Sequence, residues 1–208
     1  CFVDDDQRVC PNWLQELLRC QEEFNADGVW GPNPPIFDSQ VPLYIEMFHS
    51  PEYFSYGTLV EKAYTNCLLL RKTMIDKFDV PFDLRLNFTG GEDTYLTSQI
   101  TKMGGTIRFT PFAIAYEVIP RERTTVYYVM RRTFRMSNTR QLVDTLLGNK
   151  PFKAPTATRL TLRISNGLII ALPYLIFTKA RKLDGLIKII DGLGGLLFML
   201  GRRNNFYK

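Results

Sequence analysis

The stretch Phe2-Val3-Asp4-Asp5-Asp6 decides the expected fold, because two apolar residues lead directly into three adjacent carboxylates. Such a run predicts a buried strand whose C-terminal end presents acids to a cleft. Adjacent carboxylates repel one another unless a cation or solvent offsets their charge, and Mg²⁺ or Mn²⁺ with oxygen ligands is the natural partner. A solvated acidic turn after a strand is the alternative interpretation of the same residues.

The size and charge of the chain limit the number of domains and the kinds of partner that it can have. Its 208 residues leave room for one substantial domain and an appendage. The net charge is +5, with acids concentrated in the first 30 residues and basic residues after residue 121. A basic half suits nucleic acid, anionic lipid or a diphosphate. Because the aromatic and glycine patterns of RNA-binding modules are absent from the sequence, nucleic acid is the weakest of the three.

The beginning of the chain and its cysteines carry two further expectations. A strand at residue 1 needs neighbours, so we expect this chain to be the later part of a longer protein that carries earlier strands of the same sheet. The four cysteines contain no C-x-x-C pair and do not form a zinc site with the single His49. Cys20 and Cys67 stand among apolar residues, which predicts buried free thiols and a reducing, cytosolic setting.

A second acidic group follows a double glycine in Gly90-Gly91-Glu92-Asp93. Glycines let the backbone approach other groups closely, and the two acids open a predicted helix that runs to about Lys102. Acids at a helix N-terminus also suit the macrodipole, so helix capping is the alternative role. Both acidic groups follow elements expected to end at one edge of a sheet, where ligands bind in open α/β proteins.

Sugar transfer from a nucleotide sugar needs two kinds of group at such an edge. A divalent cation neutralises the departing diphosphate, and a carboxylate takes a proton from the attacking hydroxyl. The two acidic groups can supply both. A long amphipathic helix predicted over residues 125–147 carries Arg131, Arg132 and Arg135, which can hold a diphosphate.

In order and spacing, these motifs resemble the C-terminal two-thirds of a family 2 glycosyltransferase of the GT-A fold. The opening acids resemble the D-x-D motif at the end of a strand. Residues 27–35 resemble the next conserved strand, and residues 90–96 (GGEDTYL) resemble the G-E-D-x-x-L motif. Residues 116–120 and the arginine helix resemble the segment that follows the catalytic motif. The likeness covers residues 1 to about 140.

The resemblance implies a role for each acid. Asp6 would bind Mg²⁺ or Mn²⁺ directly, and Asp4 would help to place the nucleotide or the metal. Asp5 is the variable middle position. Asp93 would be the base that deprotonates the acceptor hydroxyl, and Glu92 would orient the acceptor or the base.

The resemblance also implies a single displacement that inverts the anomeric carbon. Glu117 stands where many members have a His, and with Trp30 it is expected on the acceptor side of the site. The three arginines, which would bind the donor diphosphate, lie near the family's Q-x-x-R-W region. The chain lacks the Gln and the Trp of that motif, which argues against a processive synthase.

Residues 151–208 are predicted to form a hydrophobic, basic and helical extension. Residues 164–177 and 186–200 are almost continuously apolar, and basic residues follow each run. The first run is shorter than the roughly 20 residues that span a bilayer. Helices that lie in a membrane surface therefore explain the pattern, and a buried helical hairpin explains it equally well. A helical hairpin that spans the membrane is the third alternative.

We therefore expect a GT-A-like α/β domain over residues 1–150, with a mixed sheet flanked by helices and truncated at its N-terminus. Its expected activity is that of a metal-dependent inverting glycosyltransferase of cell-surface glycan biosynthesis, acting at the cytoplasmic face of the membrane on a lipid-linked or polysaccharide acceptor. One alternative is a non-catalytic module that binds anionic lipid through its tail. A second is a nucleotidyl or phosphoryl transferase that uses the same acids, although the sequence contains no P-loop.

Overall fold

The computed structural model describes residues 1–149, 158, 161–168 and 179–201, with only the backbone for residues 179–183. The predicted α/β class is confirmed, since helices accompany two small sheets of mixed direction. The chain divides into two compact units. The first unit comprises Cys1–Gln40, His49–Leu86 and Glu92–Pro120, and the second comprises Val41–Phe48, Asn87–Gly91 and the chain from Arg121 onward.

The elements are short in the first unit and longer in the second. The strands are β1 (Gln7–Val9), β2 (Gly28–Trp30), β3 (Pro35–Phe37), β4 (Leu68–Leu70), β5 (Ile107–Phe109) and β6 (Ala115–Ile119). The helices are α1 (Trp13–Glu23), α2 (Leu43–His49), α3 (Lys72–Ile75), α4 (Glu92–Lys102), α5 (Val126–Leu146) and α6 (Lys179–Met199). Residues 161–168 are also helical.

The core of the first unit lies on both faces of the sheet β4-β2-β5. Strand β2 runs antiparallel to β4 and parallel to β5. Because successive side chains of a strand point to opposite faces, Val29 packs with Leu17 of α1 on one face, whereas Trp30 packs with Leu96 and Ile100 of α4 on the other. The sheet therefore holds α4, and the acids at its first turn, at a fixed position.

The second sheet, in the order β1-β6-β3, places Glu117 beside the opening aspartates. Strand β6 pairs antiparallel with β1 and parallel with β3. Glu117 is opposite Gln7 on one side and Pro35 on the other. Since Gln7 directly follows the three opening aspartates, this register brings Glu117 next to them.

The opening residues differ from the prediction of a buried strand that ends at the acids. Phe2 makes only an isolated antiparallel bridge to Leu68, with N–O distances of 2.7 and 3.1 Å, and Val3 is 42% exposed. The chain turns at the acids, and the strand follows them as β1. The solvated acidic turn, the alternative interpretation, describes this segment better.

Two predicted helices are present, whereas one further strand was missed. The predicted helices at Glu92 and over residues 125–147 are confirmed as α4 and α5. Strand β3 was missed, because it begins at a proline and follows two others. Proline has no N–H to donate, but β3 still pairs with β6 through carbonyl groups. The Pro34 carbonyl accepts a hydrogen bond from the Glu117 N–H, 3.0 Å away.

The double glycine before α4 is required by backbone geometry. Gly90 and Gly91 have φ values of 78° and 90°, in the left-handed region that favours glycine. A Cβ added at Gly91 would lie 2.6 Å from Cγ2 of Thr139, which is too close for a real contact. The motif therefore lets the chain turn tightly into the helix that carries Glu92 and Asp93.

In the second unit, α6 packs closely on α5. A Cβ at Gly194 would lie 2.7 Å from the Phe134 carbonyl oxygen, and Asn138 Nδ2 donates to the Gly194 carbonyl at 3.3 Å. The hydroxyl of Ser137 donates to the carbonyl of Asp191. This part of the predicted extension therefore packs against the protein.

The rest of the predicted extension is largely outside the described residues, which omit 150–157, 159–160, 169–178 and 202–208. These gaps include most of the first apolar run and the basic pair Arg202 and Arg203. Within the described ranges, no helix combines the length and the apolar character needed to cross a bilayer. Membrane association and the domain boundary at residue 150 stay predictions.

The predicted burial of two free thiols is confirmed. Cys20 and Cys67 are both fully buried, and burial raises the pKa of the Cys67 thiol to about 11. Burial also raises the pKa of Cys20. Trp13 Nε1 lies 3.1 Å from Cys67 Sγ, and that thiol lies 3.3 Å from the Ala113 carbonyl oxygen.

These environments predict two classes of thiol. Because the thiolate is the reactive species, Cys20 and Cys67 should react with Ellman's reagent at pH 8 far more slowly than Cys1 and Cys10, which are exposed and partly exposed. Peptide mapping after timed labelling assigns each rate, and all four thiols should react quickly in guanidinium chloride. Equal rates for all four in the folded protein would contradict the packing described.

Candidate active site

Three aspartates form a turn that is held by the residue after them. The Gln7 N–H donates to the Asp4 carbonyl at 3.1 Å, and the Asp4 N–H donates to Gln7 Oε1 at 3.0 Å. This pair of bonds closes the segment Asp4-Asp5-Asp6-Gln7 and leaves the three carboxylates exposed. Because β1 starts at Gln7, the pairing of β1 with β6 fixes the acidic turn beside Glu117.

Carboxylates from three separate elements act on Asp4. Its side chain is exposed, yet partial burial of the carboxyl raises its pKa, and repulsion from Asp6, Glu117, Asp5 and Glu92 raises that pKa further. Glu92 belongs to α4, and Glu117 belongs to β6. The structure therefore brings the acids of both sequence motifs into electrostatic contact within the first unit, where we call these five residues the acid cluster.

Asp93 occupies a more enclosed position than the acid cluster. Burial raises the pKa of its half-buried carboxyl, hydrogen bonds from Thr94 oppose this, and repulsion from Glu92 adds to it. The backbone of Thr65 also favours the charged form of the carboxylate and so opposes the rise in pKa. The result is a carboxyl with raised proton affinity that stays within reach of solvent, as a general base requires.

One buried threonine fixes Asp93 relative to the neighbouring chain. The Ala63 N–H donates to Thr97 Oγ1 at 3.0 Å. The same hydroxyl lies 3.0 Å from the Ala63 carbonyl oxygen and 2.9 Å from the Asp93 carbonyl oxygen. The first turn of α4 is thereby joined to residues 63–65, so the position of the Asp93 carboxyl does not depend on a flexible loop.

The donor set of the acid cluster fits a hard divalent cation. The neighbouring carboxylates repel the negative charge of Asp4, and a bound cation would offset that repulsion. Carboxylate oxygens are also the ligands that Mg²⁺ prefers. Among the described residues, no three His, Cys, Asp or Glu side chains form a ready metal cage. Mg²⁺ usually binds through one or two carboxylates together with substrate phosphates, so two exposed carboxylates of this turn would fit such an ion.

Two polar residues beside the acids were missed from the sequence. Asn33 Nδ2 donates to Glu117 Oε2 at 3.2 Å, which holds that carboxylate in place. Gln7 Nε2 is buried and has no hydrogen-bond partner among the described residues, so it offers a donor to a bound oxygen. The position of Gln7 directly after the aspartates was the available signal, whereas Asn33 reaches Glu117 only through the pairing of distant strands.

The three arginines and the acid cluster belong to different compact units. Arg131, Arg132 and Arg135 belong to α5 and therefore to the second unit, whereas the acid cluster belongs to the first. Arg132 Nη1 donates to the Tyr128 hydroxyl at 2.9 Å. Diphosphate binding by these arginines stays a prediction.

Trp30 is a core residue rather than an exposed one. It is 2% exposed, and its ring centroid lies 5.5 Å from that of Tyr64, 5.4 Å from that of Phe109 and 6.3 Å from that of Phe54. Its indole N–H has no hydrogen-bond partner among the described residues. It also lines a cavity in the first unit.

Comparison with known proteins gives one informative similarity. No family model matches the chain. Over 140 residues it is 31% identical to the succinoglycan biosynthesis protein ExoM of Rhizobium meliloti (strain 1021). The match covers 66% of this chain but only 45% of that protein, so the chain corresponds to less than half of this curated relative.

The enclosure of Asp93 predicts a stability effect that is independent of any substrate. An aspartate whose pKa is raised in the folded state binds more protons when folded than when unfolded, so its stability contribution decreases as pH rises through that range. Asp93→Asn should therefore raise the melting temperature at pH 7.5, and the gain should shrink toward pH 4. Thermal unfolding over this pH range measures it.

The matched control is Glu22→Gln, which removes one carboxylate from an exposed position on α1. Surface substitutions of this kind usually change stability by less than about 0.5 kcal/mol. A lower melting temperature for Asp93→Asn than for the control at pH 7.5 would show that the carboxylate stabilises the fold, contrary to the raised pKa.

Proposed function

We infer that this chain is part of a glycosyltransferase of polysaccharide biosynthesis, which moves a sugar from a donor to a glycan acceptor. The observation that carries the proposal is the convergence of both acidic motifs on Asp4. A relative with a part in succinoglycan biosynthesis supports the polysaccharide setting. Family 2 membership and a GT-A fold belong to the same proposal, on the order of the sequence motifs.

The proposed donor is a nucleotide sugar, because its diphosphate supplies the leaving group that a cation-binding acid cluster accommodates. Asp4 and Asp6 would hold Mg²⁺ or Mn²⁺, which neutralises charge on the departing diphosphate. The amide of Gln7 would donate a hydrogen bond to a donor oxygen. Arg131, Arg132 and Arg135 would add positive charge on the diphosphate.

Asp93 would act as the general base in a single displacement. The acceptor hydroxyl oxygen forms a bond to the anomeric carbon, and the bond from that carbon to the diphosphate oxygen breaks on the opposite face. The hydroxyl proton passes to the Asp93 carboxylate, whose raised pKa favours its acceptance. The anomeric configuration is inverted. Glu92 would orient the acceptor, and Glu117 would be held for the same purpose by Asn33.

The location of the reaction is proposed from the extension. Apolar runs followed by basic residues suit the surface of an anionic membrane, and a lipid-linked acceptor would be met there. We therefore propose that the protein acts at the cytoplasmic face of the membrane, on a lipid-linked or polysaccharide acceptor.

Donor binding should depend on Asp6 and not on its neighbour. In the full-length protein, Asp6→Ala should abolish the Mn²⁺-dependent part of nucleotide-sugar binding measured by calorimetry, whereas Asp5→Ala, the matched control from the same turn, should leave it nearly intact. Full Mn²⁺-dependent binding by Asp6→Ala would remove Asp6 from the metal site. Equal loss of binding in both variants would show that the turn as a whole, and not Asp6 in particular, is needed.

Turnover should depend on the Asp93 carboxylate. Asp93→Asn should lower kcat by at least about 10²–10⁴, the usual contribution of a general base, while donor affinity changes little. Transfer of radiolabelled sugar to lipid extract measures the rate. Near-normal turnover would exclude Asp93 as the base. Absence of both transfer and donor hydrolysis in the unaltered protein would instead favour the non-catalytic, lipid-binding alternative.

A further inference from the structure

The first unit contains a small cavity that is lined by both aromatic and charged side chains. The cavity measures about 230 Å³, below the roughly 300–1,000 Å³ of pockets for drug-sized ligands. Its volume therefore suits one small ring. Three aromatic side chains and three charged ones contribute to its lining: Trp30, Phe54, Tyr64, Glu52, Glu61 and Lys62. We call this the aromatic cavity.

The aromatic side of the cavity is preorganised by the core. Trp30 packs edge-on against both Tyr64 and Phe109, and Phe54 also packs edge-on against Phe109 with a centroid distance of 5.4 Å. Phe109 is fully buried, while Phe54 remains 37% exposed. A rigid apolar wall that is open to solvent on one side loses little conformational freedom when a ligand covers it.

The polar side of the cavity supplies the complementary groups. Glu52, Glu61 and Lys62 are exposed, so two carboxylates and one ammonium face water beside the aromatic wall. Carboxylates accept hydrogen bonds from hydroxyl groups, and an ammonium donates to them. A ring with one apolar face of C–H groups and a rim of hydroxyls matches both sides, and a pyranose is such a ring.

The cavity is connected to Asp93 through three consecutive residues. Tyr64 lines the cavity, and the backbone of the next residue, Thr65, acts on the Asp93 carboxylate and lowers its pKa slightly against the effect of burial. Ala63, on the other side of Tyr64, is bonded to Thr97 of α4. Because consecutive Cα atoms lie about 3.8 Å apart, the wall of the cavity is one residue from the contact with Asp93.

The geometry points to the aromatic cavity as a binding site for one pyranose ring of the glycan acceptor. The ring stacks on Phe54 and Tyr64, which Trp30 supports from within the core, and its hydroxyls bond to Glu52 and Glu61. Assignment of the sugar to the acceptor rests on the proposed transferase function, since it depends on Asp93 as the base. The existence of a sugar site in the cavity does not depend on it.

The test measures binding of methyl β-D-glucopyranoside and methyl β-D-galactopyranoside by saturation-transfer NMR titration of the full-length protein. At least one glycoside should bind. Phe54→Ala should weaken that binding by about 2- to 13-fold, the range expected when one aromatic contact is lost. Tyr53→Ala is the matched control, because Tyr53 is the adjacent aromatic residue, is 58% exposed and does not line the cavity.

A second pair of variants keeps the test valid if loss of the Phe54 ring disturbs the packing of Trp30. Glu61→Ala removes an exposed carboxylate from the cavity, and its backbone carbonyl still accepts from Thr101 Oγ1 as before. It should weaken glycoside binding, while Glu22→Ala on α1 should not. Binding that is unchanged by both Phe54→Ala and Glu61→Ala would overturn the inference.

Two further arms separate this inference from its rivals. Choline tests for a cation between aromatic rings, and choline binding without glycoside binding would overturn the sugar assignment. A panel of nucleoside diphosphates with Mn²⁺ tests the donor site. Diphosphate binding without glycoside binding overturns the inference and leaves the proposed function standing. Glycoside binding that is sensitive to Phe54, without any diphosphate binding, supports a glycan site and contradicts the transferase.

Discussion

Repulsion among carboxylates that the fold holds in place is the constraint on which the site depends. Left free, the acids of a turn, a strand and a helix would move apart in water. The pairing of β1 with β6 and the bonds of Thr97 at the start of α4 prevent this. Partial burial raises the pKa of Asp4, and repulsion from the neighbouring carboxylates raises it further. This uncompensated negative charge is the reason for proposing that a cation and the phosphates that accompany it bind here.

The two acidic motifs differ in what their surroundings do to them. The opening aspartates remain exposed to solvent, whereas Asp93 is enclosed and has its pKa raised mainly by burial. The proposed separation of a metal-binding role from a proton-accepting role would follow from this difference in environment, in the way that paired carboxylates of other enzymes divide their roles. The double glycine makes the second environment possible, because only glycine fits the turn into α4.

The sequence predicted those features that local patterns encode. Helices α4 and α5 were placed within one residue of their observed bounds, because apolar periodicity and glycine signals mark helices well. Strand β1 was missed because the apolar residues before the acids were expected to form the strand, and β3 was missed because it begins at a proline. The sequence singled out the acids as candidates because the residues of each motif are contiguous. It did not indicate that Asn33 supports Glu117, because that contact arises from the pairing of strands far apart in the chain.

The most direct test of the account is the position of a bound metal ion. A crystal of the full-length protein grown with Mn²⁺ and a nucleoside diphosphate should show an anomalous peak within about 2.0–2.6 Å of an oxygen of Asp6 or Asp4, the range of metal–oxygen bonds to such ions. The diphosphate should share that ion, and Glu92 and Asp93 should face the same pocket. A peak elsewhere, or an acidic turn and an α4 N-terminus on opposite sides of the protein, would contradict the account.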